Sequence, residues 1–187
     1  GHVRNEHQSE PLIKELAGYF LNALGYIGTS SRITVTDGIV APVFLEKNKQ
    51  NGAPLLWILL SRTQEHDGEL MDGLCFDGNE GTTDEDLIES TQYDLLISNE
   101  ELLSKIFFSM DEAPRWVLIF GMNQIVLADR TKWNEKRYLS FQLDDIFSRR
   151  EDSTLQAMSV LLHEESLCPT EGTSLLDQLD ENSNKHS

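Results

Sequence analysis

The sequence predicts an α/β or α+β fold built on a mixed central β-sheet flanked by helices. Three stretches carry this prediction: an amphipathic helix at 9–25, a continuous apolar strand at 54–61 and a β-hairpin at 114–133. A helix with one apolar face needs a surface to cover, and a strand that is apolar on both faces needs cover on both sides. A sheet with helices packed against it meets both needs.

The first helix is predicted over 9–25. Ser9 is a favourable N-cap, Pro11 suits the first turn, and Gly25 suits the C-terminal stop. Helical spacing places one set of apolar residues on a common face: Leu12, Leu16, Tyr19, Phe20 and Ala23. We interpret this stripe as the apolar face of the helix.

Three strands are predicted after this helix. Residues 32–38 alternate between apolar and polar side chains and end in a turn, and residues 39–52 form a second strand and turn. Pro42 within the second strand favours an edge position or a bulge. Residues 54–61 form an apolar run that ends in Ser61, which is typical of a strand buried on both faces that surfaces at its polar end.

An acidic segment follows at 63–86, with nine acidic residues and no Lys or Arg. It is rich in glycine, and we expect a mobile, protease-sensitive loop. Residues 83–90 and 98–110 then have helical patterns. Ser98 followed by Glu100 and Glu101 is a capping signature that marks the start of the second of these helices.

A β-hairpin is predicted where the apolar runs 116–120 and 124–128 flank Gly121, Met122 and Asn123. Residues 139–167 begin as a short strand and continue as a helix whose inward residues are Leu155, Met158, Leu161 and Leu162. We divide the chain into an α/β domain at 1–150 and a C-terminal helix with a polar linker at 151–187.

The composition limits the possible functions. There are 32 acidic and 15 basic residues, a formal net charge of −17. Phosphate contacts need clustered Lys and Arg, so this balance argues against a general nucleic-acid-binding module. No apolar run approaches the roughly 20 residues of a membrane span. The polar start lacks a secretory signal and the two cysteines form no disulfide framework, so we expect a cytoplasmic protein. The missing initiator Met suggests a fragment of a longer chain.

Two blocks of the sequence resemble a known family. They are PRWVLIFGMNQIVLADRTKWNEKRYLSFQLDDIFSRRE at 114–151 and LCPTEGTSLLDQLDENSNKHS at 167–187. Both resemble the N-terminal region of very large bacterial type II restriction–modification enzymes, and DRTKWNEKR at 129–137 is the most distinctive string. The resemblance covers roughly 9–187. A weaker likeness in layout, to the nuclease region of type I restriction subunits, points the same way.

The resemblance implies a restriction-endonuclease-like fold for 1–150. It also implies an N6-adenine DNA methyltransferase region downstream of 151–187 as a partner within the same chain, and contact with DNA through the parent enzyme. Mg²⁺ and S-adenosylmethionine are the implied cofactors of the full-length enzyme, with none in this fragment.

A nuclease of this class needs a carboxylate on one strand and an acid-x-Lys on the next, which together hold Mg²⁺ and activate water. Asp37 can supply the first carboxylate, but Leu60, Ser61 and Arg62 stand where the second strand should carry acid-x-Lys. Leucine binds no metal, and arginine is a poor base. Glu46 is followed directly by a lysine, so the two side chains point to opposite strand faces.

Three interpretations of 54–61 therefore remain, and a plain core strand is the favoured one. A degenerate, inactive nuclease fold is the second. An active nuclease with Asp37 and Glu46 as its catalytic residues is the last.

One basic–aromatic cluster stands out: Arg130, Lys132, Trp133, Lys136 and Arg137. It could contact DNA phosphates, with the indole stacking on a base. The alternative is a surface loop that pairs with the acids of the chain, including Asp129 and Glu135.

We predict no metal site. Glu65, His66 and Asp67 with Asp72 could bind a cation, but a solvated acidic loop is the favoured interpretation. His163 lacks a second His at helical spacing. Cys75 and Cys168 have no Cys-x-x-Cys partner. Two hypotheses remain: an accessory domain of a DNA restriction–modification enzyme with little or no activity of its own, and an acidic protein-interaction module without DNA chemistry.

Overall fold

The structure is a computed structural model, and it describes residues 2–63, 68–78, 97–148, 152–170 and 172–185. The strands are β1 Thr29–Thr36, β2 Ile39–Asn48, β3 Pro54–Arg62, β4 Leu74–Phe76, β5 Trp116–Phe120, β6 Gln124–Asp129 and β7 Tyr138–Gln142. The helices are α1 His2–Ala23, α2 Asn99–Ser109, α3 Leu143–Ser148, α4 Asp152–Leu162, α5 Glu164–Leu167 and α6 Leu175–Lys185. Two short 3₁₀ helices are η1 Leu70–Asp72 and η2 Arg130–Glu135.

These strands form one seven-stranded mixed sheet in the order β1-β2-β3-β5-β6-β7, with β4 paired to the end of β3. Only β3 and β5 run parallel among these pairs, because the chain crosses from one to the other through η1, β4 and α2. The predicted class, a mixed sheet flanked by helices, is confirmed. Pro42 lies in an inner strand, and it is tolerated because the pairing of β2 with β3 begins at Val43.

The sheet is covered on both faces, as the apolar sequence of β3 predicts. Leu56, Ile58 and Leu60 point to a cluster that includes α1, α3, α4 and α5. Trp57 and Leu59 point to the opposite cluster, which includes α2, η1 and η2. Successive residues of a strand face opposite sides, so a fully apolar strand can contribute to two cores at once.

The face of α1 that packs on the sheet differs from the predicted one. Its buried residues are Ile13, Ala17 and Leu21, whereas Leu12 and Leu16 are exposed and Tyr19 is 71% exposed. The predicted stripe is thus turned by about one residue, or about 100° around the helix axis. The helix also begins earlier than predicted, so Pro11 lies inside it.

The hairpin β5–β6 and the cap of α2 are confirmed. The amide of Gly121 donates to the carbonyl of Gln124 at 2.9 Å and closes the hairpin loop. Every residue of both strands is buried. At the start of α2 the side chain of Ser98 accepts from the amide of Glu101, as the capping signature predicts.

The acidic segment is only partly described. Residues 64–67 and 79–96 lie outside the described residues, and so do the helix predicted at 83–90 and half of the loop expected at 63–86. Residues 68–78, which were included in that loop, instead form η1 and β4. Leu70, Met71, Cys75 and Phe76 are buried there, so this part of the segment belongs to the core.

The core continues beyond residue 150. Met158 and Leu162 of α4 and Leu167 of α5 belong to the same apolar cluster as α1 and the sheet. Leu155, also predicted to face inward, is half-buried against it. None of the helices in the described part of the chain is long and apolar enough to cross a membrane.

Candidate functional site

The end of β3, where the family resemblance would place an acid-x-Lys, belongs to the packed interior of the domain. Leu60 and Ser61 are fully buried, and Leu60 packs in the cluster under α1. The guanidinium of Arg62 pairs with Glu10 of α1 at 3.0 Å. This end of the strand therefore contributes packing and an ion pair to the fold.

A buried polar network surrounds Ser61. Asn99, at the start of α2, donates from Nδ2 to Ser61 Oγ and to the carbonyl of Leu70, both at 2.7 Å. Its Oδ1 accepts from the thiol of Cys75 at 2.9 Å. The hydroxyl of Ser61 in turn lies within donor distance of two carbonyls, that of Arg62 at 3.0 Å and that of Leu74 at 3.2 Å. One amide side chain thus joins β3, β4, η1 and α2.

The network is neutral. Burial raises the pKa of the Cys75 thiol well above its ordinary value, which keeps the thiol protonated and available as a donor to Asn99. A thiol nucleophile acts as the thiolate, so Cys75 in this setting is a structural residue. Gln124 extends the network, because its Oε1 accepts from the amide of Leu70 and its Nε2 donates to Ser140.

Gly73 shows how tightly this region is closed. A Cβ at this position would lie 2.9 Å from Ser61 Oγ and would also clash with the carbonyl oxygen of Arg62. Only glycine permits η1 to approach β3 so closely. The sequence has one signal for the network, because Ser61 and Gln124 are polar residues at the ends of otherwise apolar strands.

The two candidate catalytic acids lie at opposite ends of one hairpin. Asp37 is exposed in the turn between β1 and β2, whereas Glu46 pairs across the hairpin with Thr29, near its other end. Ile39 and Glu46 are seven positions apart on β2, and at about 3.3 Å per residue this separates the acids by roughly 20 Å. Oxygen ligands lie about 2.0–2.1 Å from a Mg²⁺ ion, so these two carboxylates cannot share one.

The expected neighbour of Asp37 is also different. β1 lies at the sheet edge, with β2 between it and β3, so Asp37 does not face the end of β3. Glu46 is half-buried and accepts a hydrogen bond from Ser31 at 3.2 Å. In the described residues, no three His, Cys, Asp or Glu side chains form a group that could hold a metal ion.

The predicted basic cluster lies on η2 and its C-terminal side, with its cations at the surface and its indole inside. Trp133 is 1% exposed and donates from Nε1 to Ser104 Oγ at 3.1 Å. Its ring packs against Phe107 of α2, with ring centroids 5.9 Å apart. A stacking role for Trp133 therefore does not fit this structure, because a base cannot reach a ring inside the core.

The cations of the cluster interact with groups of the same chain. Lys132 pairs with Asp180 and Lys136 with Glu100, each at 2.6 Å. Arg137 pairs with Glu135 at 3.3 Å, and Arg130 donates to the carbonyl of Ala113. These contacts match the alternative in which the cluster pairs with acids of the chain.

Arg115, which the sequence analysis did not single out, forms the most extensive ion-pair arrangement in the described residues. Its guanidinium donates to both oxygens of Asp129, at 2.7 and 3.2 Å, and to both oxygens of Asp177, at 2.7 and 3.1 Å. It also lies over the ring of Trp116 at 4.3 Å. Through Asp177 it attaches α6 to the start of β5 and the end of β6.

These contacts shift the acidity of both carboxyls. Burial raises the pKa of Asp129, but hydrogen bonds from Arg115 and Thr131 outweigh it, and the net pKa is lowered. The pKa of Asp177 is also lowered, mainly by its hydrogen bonds from Arg115. Both groups are therefore charged at neutral pH.

The remaining candidates have structural roles. His163 caps α5, since its Nδ1 accepts from the amide of Glu165 at 3.1 Å. Burial, followed by the nearby charge of Glu164, raises the pKa of Cys168 to about 12. Glu65, His66 and Asp67 lie outside the described residues.

We compared the chain with models of protein families, with curated proteins and with solved structures, and none of these comparisons found a match.

Proposed function

We propose that this chain is an accessory domain of a DNA restriction–modification enzyme, with a restriction-endonuclease-like fold that contributes no strand cleavage of its own. In this proposal an N6-adenine methyltransferase region follows in the same cytoplasmic protein. That region would bind S-adenosylmethionine and modify DNA, and the present domain would pack against it.

The observation that carries the non-catalytic role is the end of β3. Leu60 is in the core, Ser61 is held by Asn99, and Arg62 is paired with Glu10. Metal-dependent cleavage needs a carboxylate at this strand end, within reach of a second one. The candidate acids Asp37 and Glu46 lie too far apart to replace it, which supports the same conclusion.

The link to a DNA enzyme rests on the resemblance of 114–151 and 167–187 to the restriction–modification family. These blocks include β5, β6, η2 and α6. They also contain Arg115, Lys132 and their acidic partners in α6, Asp177 and Asp180. The family-like part of the sequence is therefore the part that holds the C-terminal helix.

A plasmid-nicking assay tests the proposal. The purified chain, Asp37→Ala and Glu46→Gln are incubated with supercoiled plasmid and either Mg²⁺ or Mn²⁺. We expect all three proteins to leave the plasmid supercoiled, because none can assemble a metal site from carboxylates roughly 20 Å apart. Nicking by the unaltered chain that disappears in either variant would make that acid catalytic and refute the proposal.

The alternative is an acidic protein-interaction module without DNA chemistry, which the net charge of −17 favours. The two proposals differ in what they expect of the cations near α6. An accessory domain of a DNA enzyme should have a surface that can contact phosphates, whereas an acidic module should keep its cations as internal partners for its own acids.

A further inference from the structure

We propose that α6 is an acidic strap over Arg115 and Lys132, and that these two cations, together with Arg130 beside Arg115, form a surface that contacts the phosphodiester backbone of DNA when α6 is displaced. The choice of DNA as the polyanion rests on the proposed function. The surface itself follows from the contacts that α6 makes.

Two carboxylates of α6 occupy positions that anions bound to the domain surface would take. Asp177 and Asp180 are three positions apart, which puts them on one side of a helix. Asp177 receives two hydrogen bonds from Arg115, and Asp180 lies 2.6 Å from the ammonium of Lys132. Each acid thus meets a different cation on the body of the domain.

The cations under α6 are of the kind that binds phosphate. An arginine fork fits a carboxylate and a phosphate with the same two-point geometry, and lysine binds either as a point charge. A phosphate oxygen can therefore replace a carboxylate oxygen at both positions without a change in the type of contact.

Arg115 and Arg130 are held in place by groups other than α6. Asp129 and the ring of Trp116 fix the guanidinium of Arg115, and the carbonyl of Ala113 fixes that of Arg130. These groups belong to β5, β6 and the loop before β5. Displacement of α6 would leave both arginines oriented, which lowers the entropy lost on binding a new anion.

The attachment of α6 is mostly polar. Ser174 is buried and Leu176 packs against the core, but the side chains from Gln178 to Asn182 are exposed and Leu179 is 51% exposed. The pair of Lys132 and Asp180 is partly open to solvent. Such pairs are individually weak and are screened by salt, so a polyanion can compete with them.

The strap also explains how a chain of charge −17 can have a DNA-contacting surface. With α6 in place, Asp177 and Asp180 neutralise two of the cations at this surface. Without them, the local field at Arg115, Arg130 and Lys132 becomes more positive, although the charge of the whole chain changes little.

The test measures the affinity of the full chain for a short fluorescent DNA duplex by anisotropy, at low salt and with a chelator in place of metal. In Asp177→Asn with Asp180→Asn, the side chains keep their shape and lose their charge. We expect this double variant to bind at least about tenfold more tightly than the unaltered chain, with a salt dependence steeper by about two phosphate contacts.

A matched control removes the same charge elsewhere. Glu15→Gln with Glu165→Gln alters two exposed acids, on α1 and α5, and should change the affinity by less than about threefold. A third protein adds Arg130→Ala and Lys132→Ala to the Asn double variant and should lose the gain. Equal gains in the two double variants, or no gain in a folded Asn variant, would refute the strap.

A single variant keeps the test valid if the double variant unfolds. Asp180→Asn breaks only the partly exposed pair with Lys132, and circular dichroism should report an unchanged fold. Its affinity gain should be about half that of the double variant on a logarithmic scale. A folded Asp180→Asn with the affinity of the unaltered chain would also refute the strap.

The binding assay and the nicking assay test the two proposals separately. Binding is measured without metal, so strand cleavage cannot contribute to it. If the unaltered chain nicks plasmid and the Asn double variant binds DNA more tightly, the proposed function is wrong and the strap stands. If the chain does not nick plasmid and the Asn double variant binds DNA no more tightly, only the strap is wrong.

Discussion

Asn99 has the most connected side chain of the buried network, and its position explains why an amide stands there. It offers two donors and an acceptor to three groups from different elements, Ser61, the carbonyl of Leu70 and Cys75. Each of these groups would lack this partner without it. A buried polar group without a partner costs more than the hydrogen bond was worth.

Replacement of Asn99 by alanine should therefore destabilise the domain by about 2–4 kcal/mol, although alanine is a better helix former at this position. Urea melts followed by tryptophan fluorescence measure the change. Asn22→Ala, at an exposed position of α1, is the matched control and should stay within about 0.5 kcal/mol of the unaltered chain. A loss below about 1 kcal/mol for Asn99→Ala would mean that water takes over these hydrogen bonds.

At the level of elements, the hairpin β5–β6 lies inside the sheet. Its strand β5 pairs with β3 and its strand β6 pairs with the edge strand β7, and its residues contribute to both apolar clusters. Trp116 begins the hairpin, is 2% exposed and carries the guanidinium of Arg115 on its ring. The two apolar runs predict a buried hairpin in which Trp116 contributes to the core, and the burial of Trp116 confirms this.

The energetic part of that prediction can be measured. Trp116→Ala should cost about 3–5 kcal/mol, because it removes a large side chain from a closed core and leaves a cavity. Phe108→Ala removes an aromatic ring that is 62% exposed and should cost less than about 1 kcal/mol. Similar losses for the two variants would show that the hairpin core refills the space left by the indole.

For the whole molecule, the Arg115 arrangement links stability to pH. The folded-state pKa values of Asp129 and Asp177 are lowered, so their contribution is present above the unfolded value of about 3.9 and is lost as pH falls through the lowered folded values. The free energy of unfolding should therefore decrease below about pH 4.

Arg115→Met tests this link, because it removes the group that lowers both pKa values. At neutral pH the variant should be less stable by about 1–3 kcal/mol, since two partly buried carboxylates lose their partner. Denaturant melts between about pH 3 and pH 7 should show the difference shrinking as the pH falls, because the carboxyls become neutral in both proteins. A difference that stays constant over this range would contradict the assigned cause.

The sequence by itself determined the elements whose signals are local. Alternating or continuous apolar runs predicted β1, β2, β3 and the β5–β6 hairpin, because side-chain direction in a strand depends only on its own residues. Ser98 with its glutamates predicted the start of α2, because a cap satisfies amides within one turn. The mixed sheet with helices on both faces followed from the double burial of β3.

Only the tertiary structure decided which of two apolar stripes on α1 faces the sheet. Ile13, Ala17 and Leu21 recur at helical spacing, and so do Leu12, Leu16 and Tyr19, so periodicity cannot choose between the two sets. The choice depends on the shape of the sheet surface, which distant strands build. The separation of Asp37 from Glu46 was equally invisible, because it depends on the register of β1 with β2.

Both polar centres also required the fold. Asn99 meets Ser61 across 38 positions of sequence, and Arg115 meets Asp177 across 62. No local pattern specifies such pairs, because a side chain finds a distant partner only after the sheet has brought their elements together. The sequence determined that cations and acids lie in this region, and the tertiary structure decided that the acids of α6 lie on the cations of β5 and η2.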